Sequence, residues 1–109
     1  MTVLATVVSV PAADRAVVDA GSKTLSTDPS RPVADGFGLV VGRQTRVARV
    51  SEEHGVLAVA PGESFRVGER VHLLPNHACA VSNLHGALAA VRAGRVEGRI
   101  TVAARGCVQ

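Results

Sequence analysis

Valine is the residue type that most constrains this chain: 20 of its 109 residues are Val, against 8 Leu and 1 Ile. Valine is stiff about χ1 and packs well on a pleated surface, so this balance favours strands over helices. The chain has two Phe and neither Tyr nor Trp, so its core must be built from small side chains. Its length suits one domain with a modest core. We therefore expect a single small domain made mostly of strands.

Short apolar runs separated by turn residues predict many short strands. An opening hairpin is expected at residues 2–10 and 15–20. Further strands are expected at residues 37–41, 45–50, 56–60, 65–67, 70–74, 87–92 and 95–103. Residues 21–36 contain few apolar residues and two prolines, which predicts a long surface loop. Loops of this length inside compact domains are usually functional or contact a partner.

One segment, residues 77–92, also has helical spacing. Apolar residues recur at that spacing from Ala78 to Val91, so one long helix is an alternative. Gly86 favours a shorter helix over residues 77–84, because glycine costs about 1 kcal/mol inside a helix. Many short strands without long helices between them predict an all-β fold, either a small barrel or a sandwich-like domain, with one or two short helices.

Charge and composition argue against several classes of protein. The net charge is +3, but the 11 Arg are scattered singly among acids, and we expect no surface aromatics to stack on bases, so we predict no nucleic-acid binding. The apolar runs are too short for a membrane span, and no signal peptide is recognisable. Cys79 and Cys107 have no disulfide-framework spacing. We therefore expect a cytoplasmic, reducing location.

His77-Ala78-Cys79 is the motif with the clearest chemical content. Imidazole and thiolate are both good zinc ligands, and sulfur favours zinc over hard cations. Two ligands do not close a tetrahedral site, so further ligands must come from elsewhere or the open positions must hold water and substrate. Taken alone, a histidine two positions before a cysteine is more often a capped histidine beside a buried structural thiol. Both interpretations stay open at this point.

Two further places carry ionisable groups. Glu52-Glu53-His54-Gly55 puts two acids and an imidazole on a turn, where a solvated hairpin tip is the simpler interpretation. Lys23, the only lysine, follows Asp19 just before the long loop, where a surface ion pair worth under about 1 kcal/mol is the simpler interpretation. Lys23, Glu53 and His54 are kept as candidate residues beside the metal site.

Six segments in the same order give the chain a family resemblance. They are D-A-G-S-K-T-L-S-T-D (19–28), S-E-E-H-G (51–55), G-E-R-V (68–71), P-N-H-A-C (75–79), N-L-H (83–85) and A-A-R-G (103–106). The series, which runs across nearly the whole chain, resembles the C-terminal domain of the D-serine dehydratase and D-threonine aldolase-like family, pyridoxal-phosphate enzymes of the alanine-racemase structural group. Ala80 departs from the family's pattern, where proline is expected.

The resemblance implies a function for residues 1–109 as a D-serine dehydratase-like C-terminal β domain. In that family an N-terminal (β/α) barrel holds pyridoxal phosphate through a Schiff-base lysine, and the C-terminal domain carries metal ligands at the positions of His77 and Cys79. Cysteine at the second position implies zinc and dehydration, although aldolase-like and racemase-like members can share it. The implied partners are the N-terminal barrel, a D-3-hydroxy amino acid as substrate and a second subunit in a homodimer.

Activity by this chain alone is not expected. Lys23 lies in the wrong domain for the Schiff base, and we expect the chain to be a C-terminal domain excised or truncated from its barrel. The isolated chain should therefore neither bind pyridoxal phosphate covalently nor turn over D-serine or D-threonine. The alternative hypothesis is a stand-alone, non-catalytic β-barrel module for binding or assembly.

Overall fold

The fold is described from a computed structural model, which covers residues 1–28 and 35–107. Within these residues there are eight strands and two short helices. The strands are β1 (Val3–Ala12), β2 (Arg15–Val18), β3 (Gly38–Val40), β4 (Arg46–Val50), β5 (Gly55–Ala58), β6 (Arg70–Pro75), β7 (Ala87–Arg92) and β8 (Arg95–Thr101). The helices are α1 (Ser22–Leu25) and α2 (Ala78–Leu84). The all-β prediction with one or two short helices is confirmed.

Six strands close into an antiparallel barrel in the order β1-β2-β5-β4-β3-β6, and β6 pairs back with β1. The barrel form of the prediction is therefore the correct one. β1 can serve both neighbours because it is ten residues long. Its first half, from Val3 to Thr6, pairs with β6, and its second half pairs with β2. The pairing with β2 is irregular, and such bulges bend a strand and increase its twist, which helps a small sheet to close.

Valine and leucine side chains fill the barrel, as the composition predicts. The strands alternate between buried and exposed positions, most regularly in β6. The side chains without exposed surface in this core include Val7, Val18, Val47, Leu57 and Leu73. Many of these positions are β-branched, which suits a pleated surface.

The short strand predicted at residues 65–67 is wrong. These residues are irregular, and they connect β5 to β6 around one end of the barrel. Phe65 is buried in the core, with the Arg43 guanidinium 4.2 Å from its ring centroid. Two polar contacts fix this connection, since Arg43 pairs with Glu69 and the hydroxyl of buried Thr45 donates to Glu63 at 2.5 Å. Phe65, the apolar residue that suggested a strand, is therefore a core residue within an irregular connection.

Helix α1 lies inside the segment predicted as a loop, so the prediction is wrong for residues 22–25; residues 29–34 of that loop lie outside the described residues. The shorter of the two predicted helices over residues 77–92 is confirmed by α2. β7 and β8 then form a two-stranded hairpin that is separate from the barrel. This hairpin exposes Val91, Val96 and Ile100.

Candidate metal centre

His77 is the residue immediately before α2, and its backbone is extended, with φ −136° and ψ 98°. Its side chain makes no capping hydrogen bond to the helix, so the imidazole is not used to terminate α2. The preceding Asn76 is buried, and its side-chain amide donates to the carbonyl oxygen of Gly36 at 2.6 Å. Asn76 therefore anchors the chain just before His77 and leaves the imidazole, 44% exposed, at the surface.

Cys79 is the second residue of α2, and its thiol is exposed and unpaired. A capped histidine beside a buried thiol was the simpler interpretation of this motif. The buried thiol of that interpretation is wrong, because Cys79 is exposed. Both candidate ligands lie at the exposed start of one helix. Their role in binding a metal remains a prediction.

Asp28 contacts His77, and the sequence patterns did not identify it as a site residue. An oxygen of its carboxylate, Oδ2, is hydrogen bonded to Nδ1 of the His77 ring. The Asp28 side chain is 34% exposed. Asp28 is the last residue of the first family segment, and that membership is the one sequence signal that could have found it. Only the fold shows that it lies against His77, which is 49 positions away.

Helix α1 brings Asp28 to this place by packing on the turn between β4 and β5. The backbone N–H groups of Ser22 and Lys23 donate to the carbonyls of Ser51 and Glu52, at 2.7 and 3.1 Å. Gly21 makes this close approach possible, because a Cβ atom there would lie 2.4 Å from the carbonyl oxygen of Ser51. Two family segments, residues 19–28 and 51–55, are therefore in direct contact.

The other end of α2 is attached to α1 and to the end of the chain. The ring of His85, which follows α2, is hydrogen bonded through Nε2 to the carbonyl oxygen of Thr24 at 3.2 Å. The side-chain oxygen of Asn83 accepts from the N–H of Gly106 at 3.1 Å. Family segments 83–85 and 103–106 thus also have structural contacts, and they hold α2 against its neighbours.

Lys23 and Glu53 form an exposed ion pair, with 2.5 Å between Nζ and Oε1. The hydrogen bond and charge of Glu53 raise the pKa of Lys23 above its ordinary value of 10.5. Asp19, the expected partner of Lys23, instead accepts the N–H of Thr6 at 2.6 Å. The exposed His54 closes the neighbouring turn through its backbone. In the described part of the chain, neither Lys23, Glu53 nor His54 is hydrogen bonded to His77 or Cys79.

His77 and Cys79 would supply two of the four ligands of a tetrahedral metal site. Among residues 1–28 and 35–107, no three His, Cys, Asp or Glu side chains come together in a group that could hold a metal ion. The imidazole of His77 and the thiol of Cys79 fit zinc chemically, because zinc accepts nitrogen and sulfur ligands.

No helix in residues 1–28 and 35–107 has the length and apolar character that a bilayer span requires.

The chain thus combines a closed antiparallel barrel with a short helix that follows it. An exposed histidine lies just before this helix, and an exposed cysteine lies in its first turn. The family model described as "Putative serine dehydratase domain" matches residues 1–91. The chain therefore belongs to the D-serine dehydratase-like domain family.

Several characterised relatives are larger than this chain. It is 39% identical over 106 residues to a D-threonine aldolase of Arthrobacter sp., which covers 95% of this chain and 26% of that protein. It is 40% identical to the D-threo-3-hydroxyaspartate dehydratase of Delftia sp. (strain HT23), over 73% of this chain and 26% of that protein. The chain thus spans about a quarter of the length of these two enzymes. Against an uncharacterized protein of Mycobacterium tuberculosis, 41% identical over 84% of this chain, it spans 70% of the length.

Solved structures share the fold. The D-threonine aldolase from Filomicrobium marinum matches with a TM-score of 0.83 and 34% identity, over all of this chain and 29% of that one. Two further matching structures are mutants of a D-threo-3-hydroxyaspartate dehydratase. One, with a TM-score of 0.79, carries alanine in place of a histidine. The other, with a TM-score of 0.78, carries alanine in place of the cysteine two positions after that histidine. The cysteine mutant is in the metal-free form.

Proposed function

We propose that this chain is the C-terminal, metal-ligand-bearing domain of a pyridoxal-phosphate-dependent lyase that acts on a D-3-hydroxy amino acid. Membership of the D-serine dehydratase-like family supports this, as do relatives named for D-threonine and D-threo-3-hydroxyaspartate, both of which carry a hydroxyl on the β carbon. Those enzymes are about four times as long as the matched region. The remainder of the enzyme, a (β/α) barrel that holds pyridoxal phosphate, is the proposed partner of this domain.

The observation that carries the proposal is the exposed His77 and Cys79 pair at the start of α2. Both side chains are accessible, and the Cys79 thiol forms no disulfide. The histidine and cysteine replaced in the dehydratase mutants have the same separation of two positions, and one of those mutants is in a metal-free form. We therefore assign zinc, or another divalent metal, to His77 and Cys79.

Each group has a defined part in the chemistry. Bound zinc supplies Lewis acidity to a substrate hydroxyl, and pyridoxal phosphate supplies an electron sink. His77 and Cys79 would hold the metal at a fixed place on the domain surface, where its other positions stay open to substrate. Through the family resemblance, cysteine at the position of Cys79 points to dehydration of the D-3-hydroxy amino acid; aldol cleavage and racemisation are the alternatives, and the D-threonine aldolases among the relatives support aldol cleavage. A covering domain would exclude water from this surface, which is why an exposed site suits a chain that works against a partner.

Cobalt titration of the 109-residue chain tests the metal assignment, because a cobalt–thiolate bond gives a charge-transfer absorption that an imidazole alone does not. The matched variants are Cys79→Ser and Cys107→Ser, since both thiols are exposed and unpaired. We expect the band in the unaltered chain and in Cys107→Ser, and its loss in Cys79→Ser. A band that survives in Cys79→Ser and disappears in Cys107→Ser would contradict the assignment.

We further propose a homodimeric enzyme in a cytoplasmic location. The two exposed, unpaired cysteines support a reducing compartment, because exposed thiols are readily oxidised elsewhere. The proposed partners of this domain are then the pyridoxal-phosphate barrel and a second subunit.

A stand-alone binding or assembly module is the second candidate, and one comparison favours it. The chain spans 70% of an uncharacterized mycobacterial protein, so a relative with little room for a cofactor barrel exists. Metal binding distinguishes the candidates only in part, whereas a stable complex with a separately produced pyridoxal-phosphate barrel, together with turnover of D-threonine, would favour the lyase. Absence of both would favour the module.

A further inference from the structure

We infer that Asp28 is a positioning residue for His77: its carboxylate fixes the ring orientation and the tautomer so that Nε2 is presented to the metal. This inference rests on the proposed metal site, which it deepens. The direct observation is the hydrogen bond between Oδ2 of Asp28 and Nδ1 of His77. Since His77 makes no capping bond, Asp28 provides the hydrogen bond that restrains its ring.

Asp28 is itself held in place by its own segment. Ser26, which follows α1, has a φ of 65°, so the chain turns sharply there. The hydroxyl of Ser26 accepts the backbone N–H of Asp28 at 3.2 Å. The Asp28 carboxylate therefore leaves a turn whose geometry the Ser26 hydroxyl sets locally.

The α1 segment is also fixed relative to α2 by a second histidine. His85 is bonded to the carbonyl of Thr24, so the two residues that flank α2, His77 and His85, both contact the α1 segment. Gly21 lets α1 pack closely on the turn between β4 and β5. Asp28 thus approaches His77 from a rigid support, as a residue that orients a ligand must.

The chemistry of imidazole explains what this contact does. A carboxylate accepts a hydrogen bond, so in the neutral imidazole Nδ1 carries the proton and Nε2 keeps its lone pair for a metal. Ligating histidines commonly donate their other ring N–H to a carboxylate in this way. Asp28, His77 and Cys79 do not form a three-ligand group in the described residues, which favours action through His77 over direct ligation by Asp28.

The tautomer of His77 in the metal-free chain tests the inference without relying on zinc. Long-range ¹H–¹⁵N correlation spectra distinguish Nδ1–H from Nε2–H in a neutral imidazole. We expect Nδ1–H in the unaltered chain and a shift towards Nε2–H in Asp28→Ala. Asp28→Asn retains an acceptor oxygen and should keep Nδ1–H. Asp28→Leu, which removes the acceptor but keeps a side chain of similar size, should shift towards Nε2–H and is the informative variant if Asp28→Ala does not fold. An Nε2–H tautomer in the unaltered chain would overturn the inference.

Zinc affinity provides the second measurement. Removal of a residue that orients a ligand typically weakens metal binding 10–100-fold, so we expect a loss of about that size in Asp28→Ala. Asp14→Ala is the matched control, because it removes the same charge from an exposed turn. That turn precedes β2, whereas the α1 segment that carries Asp28 follows β2. If the unaltered chain binds zinc and Asp28→Ala binds it with equal affinity, the role of Asp28 is overturned and the metal site still stands. No zinc binding by the unaltered chain would instead overturn the metal site, and the tautomer would still decide whether Asp28 orients His77.

Discussion

At the scale of single residues, Lys23 shows how a neighbour decides the chemistry of a side chain. It is the only lysine, and so the only side chain that could form a Schiff base with pyridoxal phosphate. A Schiff-base lysine must lose its proton to attack, and burial is the usual cause of the lowered pKa that permits this. Lys23 has the opposite environment, since it is exposed and Glu53 raises its pKa. Its amine is therefore protonated at neutral pH.

We predict that borohydride treatment of the 109-residue chain with pyridoxal phosphate traps no adduct on Lys23 at neutral pH. The added cofactor should also give no turnover of D-serine or D-threonine. Mass spectrometry of tryptic peptides is the measurement, and Glu53→Gln is a useful comparison because it removes the charge that raises the pKa of Lys23. Stoichiometric labelling of Lys23 in the unaltered chain would disprove the prediction.

The candidate ligands could be predicted from sequence, but the contact that orients one of them could not. His77 and Cys79 are two positions apart in sequence, and their chemistry is specific enough to be noticed. Asp28 contacts His77 across 49 positions, and no local pattern carries that information. The pairing of Lys23 with Glu53 instead of Asp19 has the same cause, since it depends on where α1 packs.

At the scale of elements, α1 is four residues long and owes its existence to tertiary contacts. Isolated helices of this length are unstable because nucleation is costly. The carbonyls of Ser51 and Glu52 accept the first N–H groups of α1, which a free helix would leave to water. This explains why residues 21–36, with few apolar residues and two prolines, predicted a loop.

We predict that Gly21→Ala destabilises the domain by about 1–3 kcal/mol, the usual cost of forcing an extra methyl into a packed site. The new Cβ would lie within 2.4–2.5 Å of three backbone atoms of the turn at residues 51–54. Gly98→Ala is the control, because a Cβ there meets no atom within 4 Å. Urea denaturation of both variants is the measurement, and equal stability of Gly21→Ala and the unaltered chain would contradict the proposed packing.

At the scale of the whole molecule, an all-β domain of many short strands could be predicted from valine content and turn spacing. The strands follow the apolar runs because β-branched residues pack on a pleated surface whatever the topology. Which strands pair with each other decides between a barrel and a sandwich. The same pairing decides that Phe65 lies in the core. The strands at residues 87–92 and 95–103 were predicted, whereas the separation of the β7–β8 hairpin from the barrel was not.

The central claim is that this domain carries a metal at the start of α2, and anomalous diffraction at the zinc edge tests it most directly. Crystals of the 109-residue chain grown with zinc should show a peak about 2.0–2.1 Å from a nitrogen of His77 and about 2.3 Å from the sulfur of Cys79. The nitrogen should be Nε2, because Nδ1 is bonded to Asp28. A zinc peak that contacts neither residue, or only Cys107, would contradict the account.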